Sequence, residues 1–172
     1  MRSVVRTLLV VLIVSAGSAS LAEAQDSRWQ DLSISLSRVD YDLSGTGNAP
    51  AVSVRATRNL TGNLDLQLGG SFAKPEQQFG PSTLFMPEAM LLYRWNLGRV
   101  SPYAGGGIGG AMVVSDFHTD WDPTLAVAGG AGIRLTDRVG LNVELRIRGH
   151  EWRFAGSTAE IGAGIVWRLP SF

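Results

Sequence analysis

Cysteine is absent from the chain. That excludes disulfide scaffolds, thiolate zinc sites and thiol catalysis. Lysine is nearly absent: Lys74 is the single lysine among fifteen basic residues, the rest being arginine. Neither sign of charge predominates, because the acidic side chains also number fifteen. A balanced chain gives no electrostatic case for nucleic acid as a partner. No apolar run reaches the roughly 20 residues that a membrane-spanning helix needs, and no helix-period segment of useful length follows residue 24.

What is present begins with an export signal. Arg2 and Arg6 precede the apolar run T-L-L-V-V-L-I-V-S-A, and small residues then end at Ala22-Glu23-Ala24. A charged n-region, a short h-region and an A-x-A site read as a secretory signal peptide over residues 1–24. The mature domain is expected to span 25–172, outside the cytoplasm. No cysteine follows the h-region, so lipoprotein anchoring is not available.

The most informative stretch is Val139 to His150. Val139, Leu141, Val143, Leu145 and Ile147 share one parity, and Gly140, Asn142, Glu144, Arg146 and Arg148 share the other. A period of two predicts a strand with one apolar and one polar face. A carboxylate and two guanidiniums in mid-strand suit either a half-exposed sheet or a membrane barrel with its apolar face toward lipid.

The same alternation recurs around Leu32–Leu36, Val52–Ala56, Leu64–Phe72, Leu125–Leu135 and Ala159–Leu169. A further strand is expected near Phe85 to Trp95, where adjacent Met90, Leu91 and Leu92 blur the parity. Another runs through Ser101 to Val114. Eight strands of about 10 residues result. Their connections alternate long and short: polar loops at 42–48, 74–83, 115–124 and 149–156, and tight turns at 59–63, 96–101 and 136–138. An up-and-down membrane barrel produces this alternation, with short turns on the periplasmic rim and long loops outside. Trp29, Tyr41, Tyr93, Trp95, Tyr103, Trp121, Trp152 and Trp167 lie at or near strand ends, as interfacial girdles require.

These features, with Ser101–Ala111 reading S-P-Y-A-G-G-G-I-G-G-A and a terminal Phe172, resemble the small eight-stranded outer-membrane barrels of the OmpA-like, OmpW-like and opacity-protein group. Pro170 departs from the usual final-strand pattern. The resemblance implies an all-β, antiparallel, up-and-down transmembrane barrel in the outer membrane of a Gram-negative cell envelope. It also implies insertion by the barrel-assembly machinery, contact with outer-membrane lipids and lipopolysaccharide, and a monomeric state.

Eight strands leave an interior just wide enough for side chains to fill it. Glu144, Arg146, Arg148, Glu160 and Arg168 lie on polar faces of the last two strands, and a structural ion-pair network is expected there. Arg55, Arg94 and Arg134 are candidates to join it. Gly105 to Gly110 satisfies G-x-G-x-x-G literally, but a strand rather than a helix follows, so a phosphate cradle is not indicated. The glycines are expected instead to let bulky interior side chains cross. Asp116, His118, Asp120 and Asp122 alternate through the third long loop, an oxygen-rich set that either faces solvent or holds a cation. His150 starts a rim loop, but the His-x-Ser of outer-membrane lipid deacylases is missing: Glu151-Trp152-Arg153 follow, and the nearest downstream hydroxyl is Ser157. No catalytic residue, cofactor site or metal site is therefore assigned. The expected function is a non-enzymatic envelope scaffold or surface-interaction barrel. The alternatives are a narrow porin-like channel or apolar-solute conduit, and a lipid-modifying enzyme.

Overall fold

The computed structural model describes residues 30–41, 47–77, 80–115, 119–151 and 157–169, with backbone alone at 76, 77, 80, 81 and 115. The proposed signal segment, Trp29, Trp152, Asp116, His118 and Phe172 lie outside the described residues. Nine strands form among the described residues: β1 (Asp31–Asp40), β2 (Asn48–Thr61), β3 (Leu64–Ala73), β4 (Glu76–Gln77), β5 (Gly80–Arg94), β6 (Val100–Ser115), β7 (Thr119–Arg134), β8 (Val139–His150) and β9 (Thr158–Arg168). No helix occurs among the described residues.

Every pairing is antiparallel, and all but β1–β9 and β3–β5 join chain neighbours, β4 adding only a short flap on β5. β1 pairs with β9, and β3 pairs with β5 across the flap, so the remaining eight strands close into an up-and-down barrel. Closure removes the unpaired edges that a sheet cannot carry through hydrocarbon. Short turns and both described chain ends gather on one rim; the other, the long-loop rim, carries connections 41–47, 74–79 and 151–157 and the three-residue link 116–118.

Parity decides which side chains enter. Along β8, Asn142, Glu144, Arg146 and Arg148 are buried, while Leu141, Val143 and Leu145 are exposed on the outside. The outer rows are completed by Ile34, Leu36, Val52, Val54, Val127, Ile161 and Ile165, all exposed. Such a surface would be a severe liability in water and is the expected outer band of a membrane barrel. Phe72, Phe85, Met112 and Trp121 stand in one cross-strand row toward the long-loop rim, with the two phenyl rings stacked at 4.4 Å. Tyr93, Trp95 and Trp167 stand outward near the short-turn rim, the first two edge-to-face at 5.0 Å. Two girdles result.

Several expectations need correction. β5 begins at Gly80, not near Phe85, and its parity is clear: Ser82, Leu84, Met86, Glu88, Met90 and Leu92 all face inward. The loop expected over 115–124 is mostly strand, because β6 runs to Ser115 and β7 starts at Thr119. Beyond the lipid band both faces of a strand meet water, so a polar sequence there is still extended. Asp120 and Asp122 therefore belong to β7 rather than to a loop. Tyr103 is not a girdle ring but a buried interior one, since its parity is that of the lumen. Tyr41, at the end of β1, packs against the interior cluster around Val39, Ala49 and Met86.

Candidate functional site

The interior is layered. Toward the long-loop rim lies an apolar cluster of Val39, Ala49, Ala51, Ala73, Leu84, Met86 and Ala111. Another, of Met90, Leu92, Tyr103, Ala126 and Ala128, lines the β5–β6–β7 wall. In the same interior lies a plug of six charged side chains that balance exactly in number: Arg55, Arg146 and Arg148 against Glu88, Glu144 and Glu160.

Glu88 is the hub. It meets Arg146 Nη1 directly, accepts from Arg148 Nε at 3.1 Å, and lies 3.7 Å from Arg55 Nε. Glu160 takes Arg148 Nη2 at 2.7 Å and Arg55 Nη2 at 3.3 Å. Three hydroxyls also donate to Glu160: Ser53 at 2.6 Å, Ser37 at 2.8 Å and Ser71 at 2.9 Å. Glu144 accepts from Arg146 Nε at 3.1 Å, with Arg146 Nη2 2.9 Å away, and from the Tyr103 hydroxyl at 2.7 Å. Arg146 Nη2 also donates to Gln67 Oε1 at 2.7 Å. Seven barrel strands thus supply donors or acceptors. Only β7 does not, and its inward residues Ala126, Ala128 and Gly130 are the small wall that makes room.

Burial makes this arrangement consequential. Arg146 is 1% exposed and Arg148 0%. A charge there is tolerable only when paired and hydrogen-bonded, and removing one partner of such a pair typically costs about 3–5 kcal/mol. Charge-assisted, forked contacts of arginine with carboxylate supply the compensation. Two glycines let the large side chains cross. A Cβ at Gly69 would stand 2.8 Å from Arg55 Cγ, and one at Gly130 would stand 2.6 Å from the Tyr103 hydroxyl.

Of the five residues expected in one network, Glu144, Arg146, Arg148 and Glu160 are together. Arg168 is not. It has the inward parity but sits at the end of β9, about eight residues or roughly 26 Å of strand from Glu160, and pairs at 3.6 Å with Asp31 on the short-turn rim. Arg55 joins the plug; Arg94 instead pairs with Asp65 at 2.7 Å, and Arg134 is exposed at the end of β7. Sequence reasoning missed Glu88, whose signal was a lone carboxylate in phase with Met86 and Met90. It also missed Ser53, Ser71 and Gln67, which look like ordinary strand polar residues.

Elsewhere, no group of three metal-ligating side chains occurs among the described residues. His150 Nε2 and Thr158 Oγ1 lie 2.6 Å apart near the long-loop rim, but Thr158 is only 1% exposed and its hydroxyl is closed to a substrate.

Comparison with known proteins agrees with this architecture. The sequence matches the outer membrane protein beta-barrel domain over residues 7–168. No curated protein matches the sequence. Among solved structures, neisserial surface protein A (NspA) is similar at a TM-score of 0.64 and 16% identity, covering 82% of this chain and 96% of that one. The N-terminal barrel domain of Pseudomonas aeruginosa OprF gives a TM-score of 0.57 at 14% identity, with 82% and 98% covered. The outer membrane enzyme PagL gives 0.53 at 10% identity, with 81% and 99% covered. At these identities the likeness is one of fold.

Proposed function

The chain belongs to the outer membrane protein beta-barrel domain family, and from that premise we propose a non-enzymatic barrel of the bacterial outer membrane whose interior is sealed. Its role is that of an envelope scaffold or surface-interaction protein, working as a monomer through its rims and loops. The single observation that carries this reading is the buried six-charge plug, whose members reach one another from opposite walls: Glu88 on β5 meets Arg146 and Arg148 on β8.

A narrow channel is the second reading. A polar vestibule enters from the short-turn rim past Asp31, Ser33 and Thr57, and reaches Gln67, Tyr103 and Asn142. Gln67 and Tyr103 there bond to the plug itself. In addition, Arg148 Nη1 and Arg55 Nε find no hydrogen-bond acceptor among the described residues. A lipid-modifying activity has less support, since the His150–Thr158 contact offers no accessible nucleophile.

Planar-bilayer recording of the refolded barrel separates the readings. A sealed interior gives no reproducible unit conductance. Discrete steps that change size in a Glu88→Gln variant would overturn the scaffold reading in favour of the channel.

A further inference from the structure

The lipid-facing rows are not of equal height around the barrel. On β1 the outward parity reads Leu32, Ile34 and Leu36 and then turns to Arg38 and Asp40. On β2 it runs apolar from Pro50 to Ala56 and then meets Arg58, out of phase with the buried Arg55 and Thr57. Both arginines therefore stand on the hydrocarbon side of the sheet. β6 and β7 lie diametrically opposite in the eight-strand order. The outward row of β6 holds no polar side chain from Val100 to Val114, and that of β7 no charged one from Trp121 to Ile133.

Strand register converts these rows into heights. The paired row that leaves β8 at Val143 runs round the barrel to Trp121 and returns to β8 ten positions higher. Each step from one strand to the next therefore climbs about one position, and the matching strand tilt gives roughly 2.4 Å of height per residue. Arg38 lies opposite Pro50, which is eight positions above Arg58 on β2. Arg38 is the lower of that pair by one climb, so the two arginines are about seven positions, or about 17 Å, apart along the barrel axis. By the same measure the apolar row of β6 is about 34 Å tall. A membrane barrel typically presents an apolar band of about 25 Å. The β1–β2 wall falls short of that, and the wall facing it exceeds it. A rigid tilt raises or lowers a wall without changing its height, so tilt does not produce this difference.

A guanidinium facing hydrocarbon is costly at mid-depth and nearly free at the interface. A lipid-facing stretch shorter than the bilayer core is accommodated by thinning the bilayer beside it. We propose that the β1–β2 wall is a lipid-deforming surface: the headgroups of the two leaflets are drawn in to Arg38 and Arg58, and the hydrocarbon there thins to about 17 Å. Arg58 Nε is covered and finds no acceptor among the described residues, so the stem of this side chain rests on the wall at its own level. The thin wall adjoins the β1–β9 pairing that closes the barrel, so the closing seam faces the least hydrocarbon. A sealed and a conducting lumen thin the bilayer alike.

The test reads depth with single nitroxide labels, which a chain without cysteine accepts at chosen sites. Labels at Leu36 and Ala56, each two positions inside its arginine, are compared with one at Val127 on β7, in dioleoylphosphatidylcholine vesicles. Thinning puts both thin-wall labels about 5 Å below the nearest surface, against about 9 Å in a band of ordinary height, while Val127 stays about 12 Å deep. In Arg38→Leu/Arg58→Leu both labels should sink by about 4 Å. Heat-modifiable gel mobility verifies that each variant is folded. Should the double variant not fold, Arg58→Leu alone should lower the Ala56 label and leave Leu36 where it was. Depths of about 9 Å in the parent would mean that both arginines snorkel to surfaces at full separation, and would overturn the proposal. So would one label shallower and the other deeper, the mark of a tilted barrel, or depths that stay the same in the folded variants.

Discussion

Replacing Glu88 by alanine is the most severe single perturbation this barrel offers. The carboxylate contacts all three buried arginines, Arg55, Arg146 and Arg148. Its loss leaves three guanidiniums facing only Glu144 and Glu160, in an interior where Arg148 has no exposed surface. Uncompensated buried charge of this kind costs about 3–5 kcal/mol. With a urea dependence of about 1–3 kcal/mol per molar, the unfolding midpoint in lipid vesicles should fall by roughly 1–5 M. Tryptophan fluorescence and the heat-modifiable band report the same transition. Restoring charge balance separates charge from packing. Glu88→Met combined with Arg146→Met should be less destabilising than the sum of the singles, with a coupling of up to about 3 kcal/mol. A loss below about 1 kcal/mol for Glu88→Ala, the level of a solvated surface pair, would refute a dry, mutually dependent plug.

Glu160→Ala removes the acceptor of three serine hydroxyls as well as of Arg148 and Arg55, and should cost at least about 3 kcal/mol by the same urea assay. Tyr103→Phe deletes donation to Glu144 and Asn142 and should cost about 1–3 kcal/mol. Gly130→Val places a side chain against both the Val143 backbone carbonyl oxygen and the Tyr103 ring; it should destabilise by about 1–3 kcal/mol or more. On the outer face, Leu145→Arg should cost about 2–4 kcal/mol if the site lies near bilayer mid-depth, whereas Leu145→Ile should be close to neutral.

The strands with one wet-looking and one aliphatic parity were legible in the sequence. Leu64–Phe72 and Val139–His150 fold as their alternation predicts, because each faces lipid on one side and the polar plug on the other. β5 was harder for a physical reason. Its inner row of Leu84, Met86, Met90 and Leu92 contributes to the apolar layers of the interior, so both faces are hydrophobic and the period of two disappears. Glu88 was hidden with it. Arg168 carried the correct parity but the wrong height: alternation tells which face a side chain takes and nothing of how far along the barrel it lies. Tyr103 failed the other way: it does lie near the start of β6, but its place near a strand end was read without its parity, which turns the ring into the lumen. The polar run before Leu125 looked like a loop because the signal for a strand is contrast between faces, and above the lipid band no contrast exists.

Spin labels placed at Val143, Leu145 and Asn142 in the lipid-reconstituted barrel measure where hydrocarbon lies. Relaxation at Val143 and Leu145 should respond strongly to oxygen and hardly to a water-soluble nickel chelate, while the label at Asn142, on the buried parity of β8, should respond weakly to both. Strong nickel-chelate relaxation at Val143 and Leu145 would mean that the aliphatic rows meet water, and a lipid-embedded, internally sealed barrel would be contradicted.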